Sequence, residues 1–483
     1  MAGSRKPTRL TDNSEYHWNA DLDSLMDRHG RDIAIDHGMF CDKLKDWRQL
    51  DGDVRARMHS AKVVLLDASG YEHNTEDPFL TVVGSENSYT LTTGNLVGEL
   101  SSSIGKKEVR VQVSSRFGDN FLRYLLMDAD GFLPLDGGGV SKSDVGVDWM
   151  LMFAWLAKLR GAVSFGLPKA YESEIERLPL VRGRLNAVDF AINKSTGRYL
   201  CDYRRHSYCN MATLLVSRVF DLLGRRAIGL CPDMNNIRQA FKQATEGRMV
   251  KDIKLLETRH FSNPLYVGYN SVINFSKYII RRMSGEIGDD VNASSFLFDM
   301  SMLFEYYVRK LLIRNGFEML EKDDNSFLSI SRGLGDEERK LKPDLLFVGS
   351  AGLYVFDVKY KYFSTMPGQG GVDRDDLYQL HTYVGAYGNC KDYDVAGCGF
   401  VYPVKEDRWQ TDFGFNEDTW CAEYDELPIV QHKKKVPFHV VFIRIPQDQG
   451  EKVSAESFRE YILRIGKSEA DFIKLMRDSV LKC

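Results

Sequence analysis

Apolar positions along this chain follow two spacings, which divide it into strand-rich and helix-rich stretches. From about residue 61 the spacing is that of strands: 62–66 and 79–83 are short apolar runs, and Glu108-Val109-Arg110-Val111-Gln112-Val113 alternates residue by residue. The aromatic-rich segment 115–126 reads as a strand end feeding a helix, Gly137-Gly138-Gly139 as a flexible connector, and 149–159 as a helix. Residues 183–187 lead into one or two strands. A spacing near 3.6 then predicts helices at 211–223, 233–246, 248–257 and 269–284. After a polar linker at 285–290, 296–316 reads as a helix with Met300, Phe304, Tyr307, Val308 and Leu311 as its apolar stripe. Two short apolar strands, 345–348 and 353–360, flank the turn Gly349-Ser350-Ala351-Gly352. Residues 1 to about 30 are polar and charged and are expected to be loosely ordered. The pattern therefore predicts an α/β multidomain chain. It comprises an N-terminal extension (1–60), a β-rich domain (61–160), a mainly helical middle domain (161–285) and a C-terminal α/β domain (286–483) with a mixed central sheet.

The hairpin over 345–360 carries the chemistry. Lys342-Pro343-Asp344 opens its first strand, and Phe356-Asp357-Val358-Lys359 closes its second. Alternation along a strand puts Asp357 and Lys359 on the face of Leu353 and Val355, and the turn brings Asp344 near Asp357. Two carboxylates a few ångströms apart repel by roughly 3 kcal/mol even at an effective dielectric near 20. A divalent cation removes that cost, and oxygen ligands with open positions suit Mg²⁺ or Mn²⁺. Lys359 can orient or help deprotonate a water and offset charge building on a scissile phosphate. Upstream, Glu305 lies at the edge of its helix stripe, where it could point toward the sheet as a third metal ligand. Downstream, Gln379 and Tyr383 share one helix face at a spacing of four. Short motifs of this kind also open ordinary strands and turns, so the weight rests on all five elements occurring in order. That order resembles the PD-(D/E)xK nucleases and, through the Gln-x-x-x-Tyr pair, their RecB-like branch, in which the Gln and Tyr support the site and the DNA strand. His381 reads as a packed or surface histidine.

Composition narrows the setting. With 27% charged and 43% hydrophobic residues the chain is of ordinary globular make-up. No apolar run reaches membrane-spanning length and the polar N-terminus is no signal peptide, so a cytoplasmic protein with no membrane partner is expected. A net charge of −4 is unusual for a protein that alone grips long DNA, and it points to a partner supplying much of that affinity. The eight cysteines include no Cys-x-x-Cys pair. Cys390, Cys398 and Cys421 are too widely spaced for the iron–sulfur cluster that some RecB-like nucleases carry, and reduced, buried thiols are the expectation. No Gly-x-x-x-x-Gly-Lys-Ser/Thr loop occurs, so any nucleotide-driven motor must be another subunit.

The segments 298–305, Lys342-Pro343-Asp344, 357–361 and 376–379, in that order, with 115–126 and the stretch around Asn210, resemble McrC, the nuclease subunit of McrBC-type modification-dependent restriction systems. The resemblance covers roughly 61–445 and is strongest over 296–390. It implies a Mg²⁺- or Mn²⁺-dependent endonuclease cutting double-stranded DNA in antiviral defence. It also implies that a separate AAA+ GTPase ring of the McrB type is the partner, docked by the N-terminal and middle domains and stimulated through an Arg or Lys for which Arg116 and Arg123 are candidates. In that reading Asp344, Asp357 and Glu305 hold the metal, Lys359 serves the nucleophilic water, and Gln379 and Tyr383 brace the site. Two readings stand beside it: a stand-alone RecB-like or type II-like nuclease, and a subunit whose main task is to activate a motor.

Overall fold

The computed structural model describes residues 8–35, 44–59, 64–66, 79–104, 107–129, 148–193, 197–224, 234–284, 296–320, 329–331, 338–363, 371–388, 394–425, 429–431, 434–448 and 455–481. Both ends of the chain build one unit, Met1–Phe132 with Ser295–Cys483, and Leu133–Ser294 forms a second.

The first unit begins with strands where an extension was expected. β1 (Thr8–Thr11), β2 (Glu15–Asn19), β3 (Ser24–Asp27) and β4 (Asp32–Ile33) precede the helix Leu44–His59. The signal is the alternation in β2, where Tyr16 and Trp18 are buried between exposed Glu15, His17 and Asn19. After β5 (Val64–Leu66) come β6 (Leu80–Ser85), β7 (Ser88–Thr93), β8 (Leu96–Ile104) and β9 (Lys107–Ser114). One sheet runs β4-β3-β2-β7-β6. The helix seals it: buried Trp47 donates its indole N–H to the Tyr89 hydroxyl (2.8 Å), and the Asp51 carboxylate accepts from the Phe79 amide (2.8 Å). The other sheet pairs β1 with β9 and β9 with β8, then takes in the distant strand Phe296–Asp299 between β8 and β5.

The second unit is less uniformly helical than its spacing suggests. Helices Asp148–Val163, Met211–Leu223 and Gly268–Ser284 pack together, with Trp155 edge-on to Phe220 at 4.9 Å and its N–H on Ser276 Oγ (2.8 Å). Asn210 caps the middle helix: its carboxamide oxygen accepts from the amides of Ala212 and Thr213, and Thr213 returns a bond to the Asn210 amide. Helix Met234–Ala244 follows, but the expected helix at 248–257 is only the turn Asp252–Leu255. Beside the helices, β10 (Ala170–Leu178), β11 (Arg184–Leu185) and β12 (Tyr199–Ser207) form an antiparallel sheet in the order β10-β12-β11. Gly137-Gly138-Gly139 and the linker 285–290 lie outside the described residues.

Returning to the first unit, the expected helix start at 296 is a strand. β13 (Phe296–Asp299) ends where Asp299 caps the helix Met300–Arg314, its carboxylate accepting from the Ser301 amide (2.9 Å). That helix meets the helix Asp119–Ala129 through Phe304 on Phe121 and Tyr307 on Tyr124. Both tyrosine hydroxyls donate to Glu469 Oε1, at 2.6 and 3.0 Å, which ties three distant segments to one carboxylate.

The strands that follow are β14 (Glu318–Met319), β15 (Ser329–Ser331), β16 (Glu338–Lys340), β17 (Leu345–Gly349), β18 (Gly352–Val358), β19 (Val395–Lys405), β20 (Cys421–Asp425), β21 (Ile429–Gln431), β22 (Lys434–Val436) and β23 (Phe438–Ile445). Six of them form a mixed sheet, β14-β17-β18-β19-β23-β20, in which β18, β19 and β23 are parallel and the other pairs antiparallel. The mixed central sheet is as expected. The helix Arg374–Gly388 covers one face, placing Leu380 and Val384 on Leu353, Val355 and Phe400. The helix Ala455–Leu475 packs against β23 and β20. The β17–β18 turn needs a glycine: Gly352 has φ +136°, and a Cβ there would lie 2.2 Å from the Asp394 main-chain oxygen.

Candidate active site

The hairpin brings the predicted residues together. Asp344 stands just before β17, and its Oδ2 accepts the main-chain N–H of Val358 (2.7 Å), so its carboxylate is held across the hairpin beside the end of β18. The main-chain oxygen of Asp344 in turn accepts from Arg309 (3.4 Å). Asp357 is buried and lies on the face of Leu353 and Val355, beneath the helix Arg374–Gly388. Burial pushes its carboxyl up to about 7. The nearby Asp344 charge adds to that rise, while Lys359 opposes it.

Lys359 leaves the strand end with its amide bonded to the Val401 oxygen (2.9 Å). Its ammonium lies 2.5 Å from Asp357 Oδ2, 3.2 Å from Asp376 Oδ1 and 2.9 Å from Gln379 Oε1. Burial works against the charged form, but the three surrounding aspartates outweigh it and hold the lysine protonated, above its ordinary range. Gln379 passes its other amide group to the Tyr383 hydroxyl (2.9 Å), which faces the Lys342 main-chain oxygen (3.5 Å). Burial pushes Tyr383 up to about 12, helped by Asp357, so it stays a neutral hydrogen-bonding group. Asp344, Asp357, Lys359, Gln379 and Tyr383 thus form one connected group.

Glu305 is half-buried on the helix Met300–Arg314, one turn before the Arg309 that reaches Asp344. That places it on the helix face nearest the pair. Among the described residues, however, no three His, Cys, Asp or Glu side chains are grouped to hold a metal ion. Asp376, absent from the residues picked out for roles in the site, is central to it. It is buried in the first turn of the helix Arg374–Gly388, where a carboxylate is favoured by the helix dipole. It is shared by Lys359 and by Lys361, whose ammonium lies 2.8 and 3.0 Å from its two oxygens. The signal was available: Asp376 lies three residues before Gln379 on the same helix face, and Lys361 continues the alternation of Lys359.

His381 is exposed. Cys398 and Cys421 are buried, and burial pushes the Cys398 thiol up to about 12 and raises that of Cys421 well above its ordinary value; Cys390 lies outside the described residues. Arg123 stacks over Phe458 at 4.3 Å, and burial lowers it to about 10. Arg116 stacks over Tyr360 at 4.6 Å.

The sequence model of the McrBC 5-methylcytosine restriction system component family matches residues 91–403. The chain belongs to that family. The match spans β8, β9, the second unit and the hairpin with its helix, ending inside β19. The chain is also similar to two solved structures from Thermococcus gammatolerans. One is a refined half-complex from a tetradecameric assembly of McrB AAA+ hexamers with bound McrC, at 16% identity, covering 95% of this chain and 100% of that one with a TM-score of 0.45. The other is the cryo-EM structure of the McrBC complex, at 16% identity, covering 64% and 88% with a TM-score of 0.32. No curated protein matches the chain. No helix among the described residues is long and apolar enough to cross a membrane.

Proposed function

We propose that this McrBC-family chain is the nuclease subunit of its restriction system, of the McrC type and PD-(D/E)xK class. It hydrolyses phosphodiester bonds of double-stranded DNA, with Asp344, Asp357 and Lys359 at the reacting phosphate and a separate McrB-type AAA+ GTPase as the partner it stimulates. The observation that carries this reading is the buried Asp357–Lys359 pair at the strand end, joined to Gln379 and Tyr383 and set beside Asp344.

The donor set fits a divalent cation. Asp344 and Asp357 are close enough for each charge to disfavour the other, and Asp357 is driven toward neutrality, an arrangement that positive charge between them relieves. Mg²⁺ or Mn²⁺ held there, with Glu305 assisting, would supply charge neutralisation and a more acidic water. The chain's own contributions are positional. Asp376 and Gln379 fix the Lys359 ammonium beside Asp357, so that with the Asp357 carboxylate turned to a cation the third N–H would be free for a water or a non-bridging phosphate oxygen. Arg309 holds the Asp344 main chain in place. Tyr383 stays protonated and keeps Gln379 in one orientation.

The test is cleavage of methylated duplex DNA by the chain with its partner ring, GTP and Mg²⁺. Asp357→Ala and Lys359→Ala should each abolish it while the chain still accelerates the partner's GTP hydrolysis. EDTA should abolish cleavage and added Mn²⁺ restore it. Cleavage surviving in either variant would overturn the assignment, and cleavage by the purified chain without the ring would move the reading to a stand-alone nuclease.

A further inference from the structure

A cavity of about 360 Å³ lies in the first unit between the N-terminal strands and the segment that follows β18. Its lining includes Arg28, Arg116, Lys361, Tyr362, Lys405 and Arg408. Two of these cations are already committed, Lys361 to Asp376 and Arg408 to Asp412, and the rim carboxylate Asp27 is taken by Arg31 at 2.7 Å. The others form no direct ion pair among the described residues, although the buried Asp12 carboxylate faces Arg116 and Lys405. Arg116 is anchored by its amide to Asp12 and by its stack on Tyr360, yet both terminal guanidinium nitrogens are buried with no hydrogen-bond partner among the described residues. Exposed Arg28 and half-buried Arg408 lie on the one ring of Tyr362, at 5.0 and 3.9 Å. Lys405 is pushed below its ordinary range by burial and, among nearby charges, by Arg116 and Arg28, while Asp407 and Asp12 oppose that shift. Cations crowded around buried, unfilled donors make a place that an anion completes.

We propose that this cavity is a phosphate-binding pocket, in which Arg116, Lys405 and Arg28 take the phosphate of a nucleic-acid strand and the half-exposed Tyr362 carries the adjoining sugar or base. The pocket deepens the DNA reading by giving the strand a second foothold. It adjoins the candidate active site through Lys361, which shares Asp376 with Lys359. Aromatic stacking beside a cationic groove is the chemistry by which single strands are held without regard to sequence.

The full-length chain would be titrated in EDTA, where no cleavage is required, against a fluorescein-labelled 12-nucleotide single strand, and separately against dCMP and inorganic phosphate by calorimetry. Wild-type protein should bind the strand. Arg28→Ala and Lys405→Met, singly and together, should weaken that binding, the double variant at least tenfold, with a salt slope shallower by about 0.7 for each cation removed. Arg28 is exposed, so its single variant reports even where the buried change disturbs folding. Loss of strand affinity with no dCMP binding assigns the pocket to a strand phosphate. Binding of dCMP that both variants abolish, with strand affinity unchanged, assigns it to a free nucleotide and overturns the strand assignment. Unchanged affinity and slope for every probe overturn the pocket itself. Strand binding is read in EDTA and the nuclease assignment by cleavage with the ring and Mg²⁺, so a lost cleavage effect with intact pocket variants, or the reverse, separates failure of the one from failure of the other.

Discussion

The six-stranded sheet of the first unit and the three-stranded sheet of the second use their side chains in opposite ways. In β18, Leu353 to Val358 are all buried, and the polar residue among them, Asp357, is held in a network. In β10, Tyr171 and Ile175 are 66% and 71% exposed, and nearby Leu180, Val188 and Ile192 are exposed as well. The polar contacts there pair a buried tyrosine with half-exposed carboxylates: Tyr203 donates to Glu174 (2.9 Å) and Glu176 (3.1 Å), and Arg177 pairs with Asp189. The first sheet is a scaffold that defines one arrangement of charge. The second leaves most of β10 exposed and buries side chains chiefly on one face of β12, at Cys201, Tyr203 and Ser207.

That contrast can be broken by substitution. The largest effect is expected at Phe356, fully buried between Phe347 and His439: Phe356→Ala should destabilise the first unit by about 3–5 kcal/mol in urea unfolding. Asp376→Asn comes next. It should lower cleavage about 10–100-fold, as outer-sphere changes do, with the urea midpoint nearly unchanged. A large loss of stability instead would make Asp376 a structural residue. A third change sharpens the comparison through pH. Burial of Glu406 works against its charge, but the Arg464 and Gln447 hydrogen bonds and the Arg444 and Arg464 charges outweigh it and hold its carboxyl below its usual 4.5. A lowered folded pKa stabilises fully above the unfolded value and is lost as pH falls through the folded one. Wild-type protein should therefore lose stability below about pH 4.5 more steeply than Glu406→Gln. The smallest effect is expected in the second sheet, where Ile175→Ala should stay within about 0.5 kcal/mol. A cost above 2 kcal/mol would show that β10 is a buried strand after all.

Much of the candidate site was legible because it is local: a proline–aspartate, a four-residue turn and an alternating strand lie within about twenty residues. Gln379 and Tyr383 were legible as a helical pair for the same reason. Asp376 was missed because its partner lysines lie on another element, so its meaning depends on a tertiary approach. The strand Phe296–Asp299 was read as helix because three apolar residues precede a true helical stripe, although Asp299 is a fair cap signal. Its partners at 64–66 and 96–99 are some two hundred residues away, and periodicity carries no information at that range. The second sheet was underread because β10 is largely exposed, and only the buried Cys201, Tyr203 and Ser207 of β12 mark a covered face.

The placement of Phe296–Asp299 has a practical consequence for anyone dissecting the protein. A fragment beginning near residue 286, the natural cut from sequence, would strip this strand of β5 and β8 and leave the helix Met300–Arg314 without Phe121 and Tyr124. Such a fragment should aggregate through its bare strand edge. The two chain ends build one unit together, so any fragment that keeps the hairpin must keep the strands from the first 132 residues as well.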